Sequence, residues 1–164
     1  MITAWRIVKE KHQREAFTGE GARLYGGRWN PIGIPVIYTA ESLALATLEI
    51  IVHLGREELL CRHFIKIPVS FNASEVFTFP RRKLPKDWTR LPPSESTQII
   101  GHKWIVQTEY AVLKVPSTII KEEHNFLINP NHPNFPAMEI GNPQRFEFDP
   151  RLIEKLPDLK ARGT

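Results

Sequence analysis

The sequence predicts a mixed α+β domain with many short strands and few helices. Three observations lead to this prediction. Fourteen prolines are spread along the 164 residues and crowd the second half of the chain, which disfavours a helical bundle. Short runs of β-branched and aromatic residues recur between turn residues. Two stretches have the length and composition of a helix, and no internal repeat or low-complexity segment accompanies them.

Seven runs are predicted to be strands, because β-branched and aromatic side chains suit a pleated, half-buried surface. In chain order they are Trp5–Val8, Val36–Thr39, Phe64–Val69, Val76–Phe79, Tyr110–Val115, Phe126–Ile128 and Phe146–Phe148. Prolines, glycines and asparagines lie between the runs and mark turns.

Two segments are predicted to be helices. The first runs from about Glu41 to Leu54, with Thr39 as its N-terminal cap and Gly55 as its stop. The second covers residues 97–108 and tolerates an internal glycine, Gly101.

Length and composition limit the class of protein. At 164 residues and 18.9 kDa the chain fits one domain, expected over residues 1–152, with 153–164 as a polar tail whose leucines could dock on it. Cys61 is the only cysteine, which excludes an internal disulfide and suits a reducing compartment. No apolar stretch approaches the roughly 20 residues of a membrane span, and the N-terminus lacks a secretory signal. A soluble, cytoplasmic protein without a membrane partner is expected.

The net charge of +4 and the pI of about 9.3 favour an anionic partner, but weakly. Basic residues between Arg81 and Arg90 lie among prolines, so this stretch is predicted to be an extended surface loop. Solvated loop charges are the simpler interpretation, and a contact with nucleic acid or an acidic protein is the alternative. Zinc-finger, helix-turn-helix and RNA-recognition signatures are missing, which argues against direct nucleic-acid binding.

Glycines concentrate near the N-terminus: five of the nine fall between Gly19 and Gly33, interleaved with arginines and aromatic residues. Glycine lets the backbone adopt positive φ and approach a ligand closely, and arginine binds phosphate through parallel hydrogen bonds. Residues 26–31, Gly-Gly-Arg-Trp-Asn-Pro, therefore suggest an anion-binding turn around Arg28. They match neither the dinucleotide nor the P-loop pattern. A structural glycine loop with a solvated Arg28 is the alternative.

The first predicted helix contains an isolated carboxylate. From Leu43 to Val52 its residues are apolar except for Thr47 and Glu49, so most of its faces are expected to be buried. An unpaired buried carboxylate is strongly unfavourable. Glu49 therefore lies either on a narrow exposed stripe or at the wall of a cavity.

Other reactive residue types give weaker signals. Ser117 ends a predicted strand but lacks the sequence context of a serine-hydrolase nucleophile. The six histidines form no pair at metal-ligand spacing, and Cys61 with His63 would supply two ligands where a zinc site needs more. No metal is expected, and Cys61 is interpreted as a small buried hydrophobe.

Several segments together resemble the RES domain. They are Gly-Glu-Gly-Ala-Arg at 19–23, Gly-Gly-Arg-Trp-Asn at 26–30, Pro-Val-Ile-Tyr-Thr-Ala-Glu-Ser-Leu-Ala-Leu-Ala at 35–46, Val-Pro-Ser at 115–117, Asn-Phe-Leu-Ile-Asn-Pro-Asn-His-Pro at 125–133 and Phe-Asp-Pro-Arg-Leu at 148–152. They occur in order over nearly the whole chain. The family takes its name from an arginine, a glutamate and a serine, and it supplies the toxin of RES–Xre toxin–antitoxin modules.

The resemblance implies a fold and an activity. The fold is similar to that of ADP-ribosyltransferase toxins, a twisted sheet core with few helices. The activity is cleavage of the nicotinamide–ribose bond of NAD⁺, which depletes cellular NAD⁺. The family's arginine, glutamate and serine correspond to Arg28, Glu49 and Ser117, the expected catalytic residues.

Substrate-binding residues follow from the same motifs. Arg28 would bind the pyrophosphate, Tyr38 would stack on the cationic nicotinamide ring, and Asn125 would hydrogen-bond the ribose or the amide. Arg23 could share or replace the role of Arg28, and Tyr25 could compete with Tyr38.

The resemblance also implies partners. An Xre-family antitoxin is expected, together with a possible homodimer, and DNA is contacted only through the antitoxin. NAD⁺ is a substrate, and no cofactor is implied. Water, phosphate or a protein side chain could accept the ADP-ribosyl group, and NAD⁺ depletion by a glycohydrolase or phosphorolase is favoured over protein ADP-ribosylation. A catalytically inactive NAD-binding or regulatory module is the alternative of another class.

Overall fold

The computed structural model describes residues 1–55, 59–60 and 63–154. The strands are β1 (Ile2–Lys9), β2 (Ile37–Ala40), β3 (Phe64–Phe71), β4 (Val76–Thr78), β5 (Val112–Pro116), β6 (His124–Ile128), β7 (Glu139–Ile140) and β8 (Gln144–Phe146). The helices are α1 (Glu20–Tyr25), α2 (Leu43–His53), α3 (Glu95–Gln107) and α4 (Pro150–Glu154). Short 3-10 turns lie at Glu10–Glu15, Ala73–Glu75, Arg81–Lys83 and Phe135–Ala137. The predicted α+β class is confirmed.

All eight strands belong to one sheet, in the order β4-β5-β6-β2-β1-β3-β7, and β8 pairs with β3 beyond this path. The pair β4–β5 is parallel and the other pairs are antiparallel. Strands β1 and β3 pair along their full length, from Ile2–Phe71 to Lys9–Phe64. The described β1–β2 ladder, by contrast, has the single pair Trp5–Ala40. The sheet therefore has two well-paired halves that meet at a narrow central junction.

Side chains alternate between the two faces of the sheet, and both faces are covered. One face packs a cluster that includes Ala4, Ile37, Val69, Phe71, Val112, Phe126 and Ile128. On the other face, α2 covers Ile7, Ala40 and Phe64, whereas α3 and the turn after α1 cover Leu113, Val115 and Leu127. Phe126 and Leu127 are neighbours in β6 but belong to different clusters, as the two-residue period of a strand requires.

Each of the seven predicted strands overlaps an observed strand, and both predicted helices are present as α2 and α3. The short elements α1, β7 and α4 were not predicted. Ile153 of α4 is buried in the cluster beneath α2, although the sequence assigned it to the tail. Cys61 and residues 155–164, which carry the rest of the predicted tail, lie outside the described residues.

The predicted cap of the first helix is wrong. Thr39 belongs to β2, and its Oγ1 donates a hydrogen bond to the carbonyl of Phe126 at 2.8 Å. Ser42 caps the helix instead, because its Oγ accepts the Leu45 N–H at 3.0 Å. Helix α2 therefore begins at Leu43, two residues later than predicted. No helix within the described ranges is long and apolar enough to cross a membrane.

Candidate active site

Three polar side chains from three elements converge on one carboxylate oxygen. Glu49 lies on α2, Asn125 on β6, and Ser117 directly follows β5. The Asn125 Nδ2 donates to Glu49 Oε1 at 2.6 Å, and the Ser117 Oγ donates to the same oxygen at 3.0 Å. The Glu49 side chain is 24% exposed, so the carboxylate is partly accessible and does not lie in the buried core. Glu49 is thus neither fully solvated nor an unpaired buried carboxylate, because two side chains donate to it.

Backbone geometry fixes the direction of the Ser117 hydroxyl. Its Oγ accepts the N–H groups of Ile119 and Ile120, at 3.0 and 3.3 Å. These two bonds occupy the acceptor capacity of the oxygen, so the hydroxyl hydrogen is directed at Glu49. Ser117 is fully buried. Its contacts suit a residue that orients the carboxylate rather than a nucleophile.

The second carboxylate oxygen of Glu49, Oε2, has fewer contacts than Oε1. Both hydrogen bonds recorded for Glu49 among the described residues end on Oε1. Oε2 lies 4.0 Å from Nε2 of His53, one turn further along α2, and the His53 side chain is 73% exposed. One oxygen is thus fixed by the protein, while the other can meet a ligand.

Arg28 is held by backbone carbonyls that lie about sixty positions further along the chain. It follows Gly27, whose N–H bonds the carbonyl of Asn30 in a tight turn. Its Nη1 donates to the carbonyls of Trp88 and Arg90, at 2.8 and 2.9 Å. Partial burial lowers the pKa of the Arg28 guanidinium, whereas the nearby Glu49 carboxylate and Tyr38 act in the opposite direction. Glu49 is therefore close enough for its charge to be felt at Arg28.

Tyr38 ties the Arg28 turn to the sheet. Its hydroxyl donates to Asn30 Oδ1 at 2.7 Å and accepts the Trp29 N–H at 3.0 Å. Burial raises the pKa of the Tyr38 phenol well above its ordinary value, so this hydroxyl stays protonated. The ring is consequently held in one orientation beside Arg28.

Asn30 is an organising residue to which the sequence analysis gave no role. It is fully buried, and its Nδ2 lies within hydrogen-bond distance of the carbonyls of Ala22, Pro31 and Ile34, at 2.8, 3.2 and 2.9 Å. A buried amide with this many backbone acceptors fixes a turn that has little regular structure of its own. The feature of the sequence that could have indicated this role is the position of Asn30 in the glycine-rich segment 26–31.

Arg6 is a second charged residue in contact with Tyr38, and the sequence analysis did not single it out. It lies in the middle of β1, near the narrow β1–β2 junction, and its Nη1 donates to the backbone carbonyl of Tyr38 at 2.7 Å. Its Nε is buried and, within the described part of the chain, has no hydrogen-bond partner. Burial lowers the pKa of Arg6 to about 10. An arginine inside an otherwise apolar strand was the signal in the sequence.

The alternative residues lie elsewhere. Arg23 is exposed on α1, where its guanidinium binds the Glu20 carboxylate through bonds of 2.8 and 2.6 Å. Tyr25, at the end of α1, is 82% exposed. Neither residue has a recorded contact with Glu49, Arg28 or Tyr38, and the role considered for each stays a prediction. Among the described residues, no group of three or more His, Cys, Asp and Glu side chains is placed to hold a metal ion.

The chain is similar to known proteins over most of its length. The family model described as RES domain matches residues 3–149. The Toxin Res of Photorhabdus laumondii is 36% identical over 152 residues, covering 92% of this chain and 96% of its own. The Prs ADP-ribosylating toxin of a Sphingobium species is 36% identical over 156 residues, with the same coverage. A shorter stretch of 38 residues, 23% of the chain, is 50% identical to the NAD(+) phosphorylase MbcT of Mycobacterium tuberculosis.

A solved structure shares the fold. The crystal structure of the M. tuberculosis MbcT–MbcA toxin–antitoxin complex aligns with a TM-score of 0.63 and 21% identity, covering 94% of this chain and 87% of that chain. The ADP-ribosyltransferase-like architecture expected from the resemblance is thereby confirmed. With a family match over residues 3–149 and relatives of the same length at 36% identity, this chain belongs to the RES domain family.

Proposed function

We propose that this chain is the toxin of a toxin–antitoxin module and that it cleaves the nicotinamide–ribose bond of NAD⁺. The observation that carries the proposal is the Glu49 carboxylate, held on one oxygen by Ser117 and Asn125 and close to Arg28. Such a fixed, partly exposed carboxylate suits a reaction in which positive charge develops on a sugar ring.

The relatives support the same chemistry. One is named a Prs ADP-ribosylating toxin and one an NAD(+) phosphorylase, and both activities break the bond between nicotinamide and ribose. Two relatives of matching length are named as toxins, and the solved structure is a toxin–antitoxin complex. An antitoxin partner is therefore part of the proposal. We further propose that this partner is of the Xre family, that two toxin chains pair, and that the reaction takes place in the cytoplasm.

Glu49 would stabilise the transition state. As the bond from C1′ of the ribose to the ring nitrogen breaks, its electron pair passes to nicotinamide and C1′ acquires oxocarbenium character. The Oε2 of Glu49 is the oxygen without a recorded hydrogen bond in the described residues, and it would face this charge or a ribose hydroxyl. Nicotinamide leaves as a neutral molecule, so the leaving group needs no acid. The acceptor oxygen then forms its bond to C1′: a phosphate oxygen adds as an anion, and a water oxygen loses one proton to the solvent.

Arg28 and Arg6 would bind the pyrophosphate. The hydrogen bonds of Arg28 end on neutral backbone carbonyls, so its charge is left for an anion. The buried Nε of Arg6 needs an acceptor, and a phosphate oxygen would supply one together with a negative charge. Arg6 donates to the Tyr38 backbone carbonyl, and Tyr38 also influences the pKa of Arg28, so both arginines lie near this tyrosine.

Tyr38 would provide the wall for the nicotinamide ring. Its hydroxyl bonds to Trp29 and Asn30 fix the ring plane before substrate arrives, which lowers the entropic cost of stacking. A cationic ring against an aromatic face gains on the order of 1–2 kcal/mol when it is desolvated.

The names of the relatives indicate two acceptors of the ADP-ribosyl group, phosphate and protein. Phosphate or water would give NAD⁺ depletion, which we favour because a small acceptor needs no docking surface. A protein acceptor is the second candidate, because the ADP-ribosylating relative matches 92% of this chain whereas the phosphorylase matches 23%.

The test compares three chains induced in cells: the wild type, Glu49→Gln, and the matched control Glu122→Gln, which alters an exposed carboxylate. NAD⁺ is expected to fall with the wild type and the control but not with Glu49→Gln. An unchanged NAD⁺ pool with all three, together with calorimetric NAD⁺ binding by the purified protein, would support the inactive binding module instead.

Purified protein identifies the acceptor. Nicotinamide release that depends on added phosphate indicates phosphorolysis, and release in phosphate-free buffer indicates hydrolysis. Transfer of label from adenine-labelled NAD⁺ to protein indicates ADP-ribosylation.

A further inference from the structure

The N-terminal half of α3 contacts both segments that hold Arg28. One of these is the strap, defined here as residues 84–93, which carries the carbonyls of Trp88 and Arg90. Ser96 Oγ donates to Asp87 Oδ1 of the strap at 2.7 Å. The other segment is the turn that begins at Gly27, and Gln98 Nε2 donates to the Gly27 carbonyl at 3.0 Å. Ser96 and Gln98 are two residues apart on one helix.

We infer that Ser96 and Gln98 are positioning residues for Arg28, which fix the strap and the Gly27 turn and thereby set where the guanidinium meets an anionic substrate. This inference rests on the proposed function, because the substrate is taken to carry a pyrophosphate. Neither residue is proposed to touch the substrate itself.

The strap needs such an anchor because it has no regular secondary structure of its own, only turns and bends. Asp87 directly precedes Trp88, so the bond from Ser96 fixes the peptide next to the carbonyl that Arg28 uses. The Ser96 bond is also the main reason that the pKa of Asp87 lies below its ordinary value. Ser94 joins the same group, with its Oγ 2.7 Å from the Ser96 Oγ.

The Gly27 side is anchored twice. Besides the Gln98 bond, Gly101 lies against the backbone of Trp29 so closely that an added Cβ would overlap the Trp29 carbonyl. Arg28 therefore sits between two backbone segments that are each tied to the same helix. A small displacement of either segment moves the guanidinium relative to Glu49, and positioning errors of about 1 Å are costly in an active site.

The charges involved favour this arrangement. Backbone carbonyls can orient a guanidinium without cancelling its charge, whereas a carboxylate partner would compete with the substrate for it. The carboxylate of the strap, Asp87, accepts a hydrogen bond from Ser96, whereas the hydrogen bonds of Arg28 go to backbone carbonyls.

The test is steady-state kinetics of NAD⁺ consumption by the purified chain. Ser96→Ala and Gln98→Ala are each expected to raise the KM for NAD⁺ about 3- to 10-fold while kcat changes less than about 2-fold. Ser96→Thr, which keeps the hydroxyl, is expected to retain a KM near that of the wild type. Gln107→Ala changes an exposed glutamine at the other end of α3 and is the matched control.

A double-mutant cycle separates positioning from general stability. In an Arg28→Ala background, Ser96→Ala is expected to have no further effect on KM, because the group that it positions is gone. A merely structural role would give the same loss in both backgrounds. Asp87→Asn weakens the contact from the strap side and provides the same measurement should Ser96→Ala fold poorly.

The outcomes distinguish this inference from the proposed function. If Arg28→Ala raises KM but Ser96→Ala and Gln98→Ala do not, or if their effects add to that of Arg28→Ala, the positioning role is wrong and the proposed function stands. If Arg28→Ala itself leaves the KM for NAD⁺ unchanged, the assignment of Arg28 fails and this inference fails with it.

Discussion

The two sides of the candidate site are built in different ways. The acid side consists of Glu49, Ser117 and Asn125, which lie on or directly beside α2, β5 and β6 and meet through their own side chains. The arginine side consists of Arg28 and Tyr38, which are positioned by a glycine turn, by the strap and by a buried asparagine. Most contacts there involve backbone carbonyls or backbone N–H groups.

The two sides are therefore expected to differ in rigidity. Regular elements hold a reacting group with little freedom, because each is packed over its whole length. Turns held by a few hydrogen bonds can shift by fractions of an ångström when a single contact changes. We expect changes on the acid side to lower turnover, and changes on the arginine side to alter substrate affinity first.

The largest effect is expected from Glu49→Gln on the acid side. Removing the charge while keeping the shape removes the stabilisation of a cationic transition state, and nicotinamide release is expected to fall roughly 10²- to 10³-fold. The affinity for NAD⁺, measured by calorimetry, is expected to change little. A similar loss with Glu122→Gln would show that the effect is not specific to the site.

Gly101→Ala tests the arginine side through its packing. An added methyl group would overlap the Trp29 carbonyl, so the turn must move, at a cost of about 1–3 kcal/mol in the free energy of unfolding. The KM for NAD⁺ is expected to rise as Arg28 moves with its neighbour. Gly21→Ala on α1 is the matched control, since an added Cβ there meets nothing within 4 Å. Urea unfolding with kinetics on both variants checks the prediction.

Asn125→Ala removes one of the two hydrogen bonds on Glu49 Oε1 and is expected to have a smaller effect. A hydrogen bond to a charged group contributes roughly 1.5–3 kcal/mol, which corresponds to about a 10- to 100-fold loss in kcat when the bond is used in the transition state. The KM for NAD⁺ is expected to stay within a few-fold of the wild-type value. A rise in KM without a fall in kcat would show that Asn125 contributes to NAD⁺ binding rather than to turnover.

The smallest effect concerns the pH dependence of the free energy of unfolding, which Tyr38→Phe tests apart from its pH-independent loss of two hydrogen bonds. Burial raises the pKa of Tyr38 in the folded chain above the value of about 10 that it has when unfolded. Its contribution is complete below pH 10 and is lost as the pH rises further, because only the unfolded chain then releases the proton. The wild type is expected to lose up to about 1.4 kcal/mol per pH unit above pH 10 through this group.

Urea unfolding between pH 9 and 11 measures that slope. Tyr38→Phe is expected to give a shallower decline than the wild type. Tyr25→Phe serves as the control, because a side chain that is 82% exposed in the folded chain changes its surroundings little on unfolding. Equal slopes for the wild type and Tyr38→Phe would contradict the burial argument.

The acid side was the more predictable from sequence. An apolar helix with one carboxylate singled out Glu49 but left its role open, and the roles of Glu49, Ser117 and Asn125 came from the resemblance to the RES domain. The helix start was misplaced because Thr39 and Ser42 can both cap a helix, and the choice depends on β2, which uses Thr39 to bond Phe126. A preference that depends on pairing with a distant strand is not readable locally.

The arginine side was predictable in composition but not in geometry. The glycine-rich segment pointed to Arg28, whereas its partners Trp88 and Arg90 lie 60 and 62 positions away and act through backbone atoms, which every residue type has. The residue types at positions 88 and 90 therefore do not predict those contacts. Arg6 was overlooked for a similar reason, since its significance appears once the sheet places it beside Tyr38, with an Nε that has no partner among the residues that the structure describes.

The long sequence separation of these contacts has a consequence for synthesis. Glu49 meets its partners 68 and 76 positions further on, so the acid side cannot assemble until residue 125 has left the ribosome. At about 5–20 residues per second, the chain spends several seconds with Glu49 and Arg28 made and their partners absent. Until residue 125 has been made, a nascent chain therefore cannot form both hydrogen bonds that hold Glu49 Oε1. The two sides of the candidate site can therefore form only after their distant partner segments have been made.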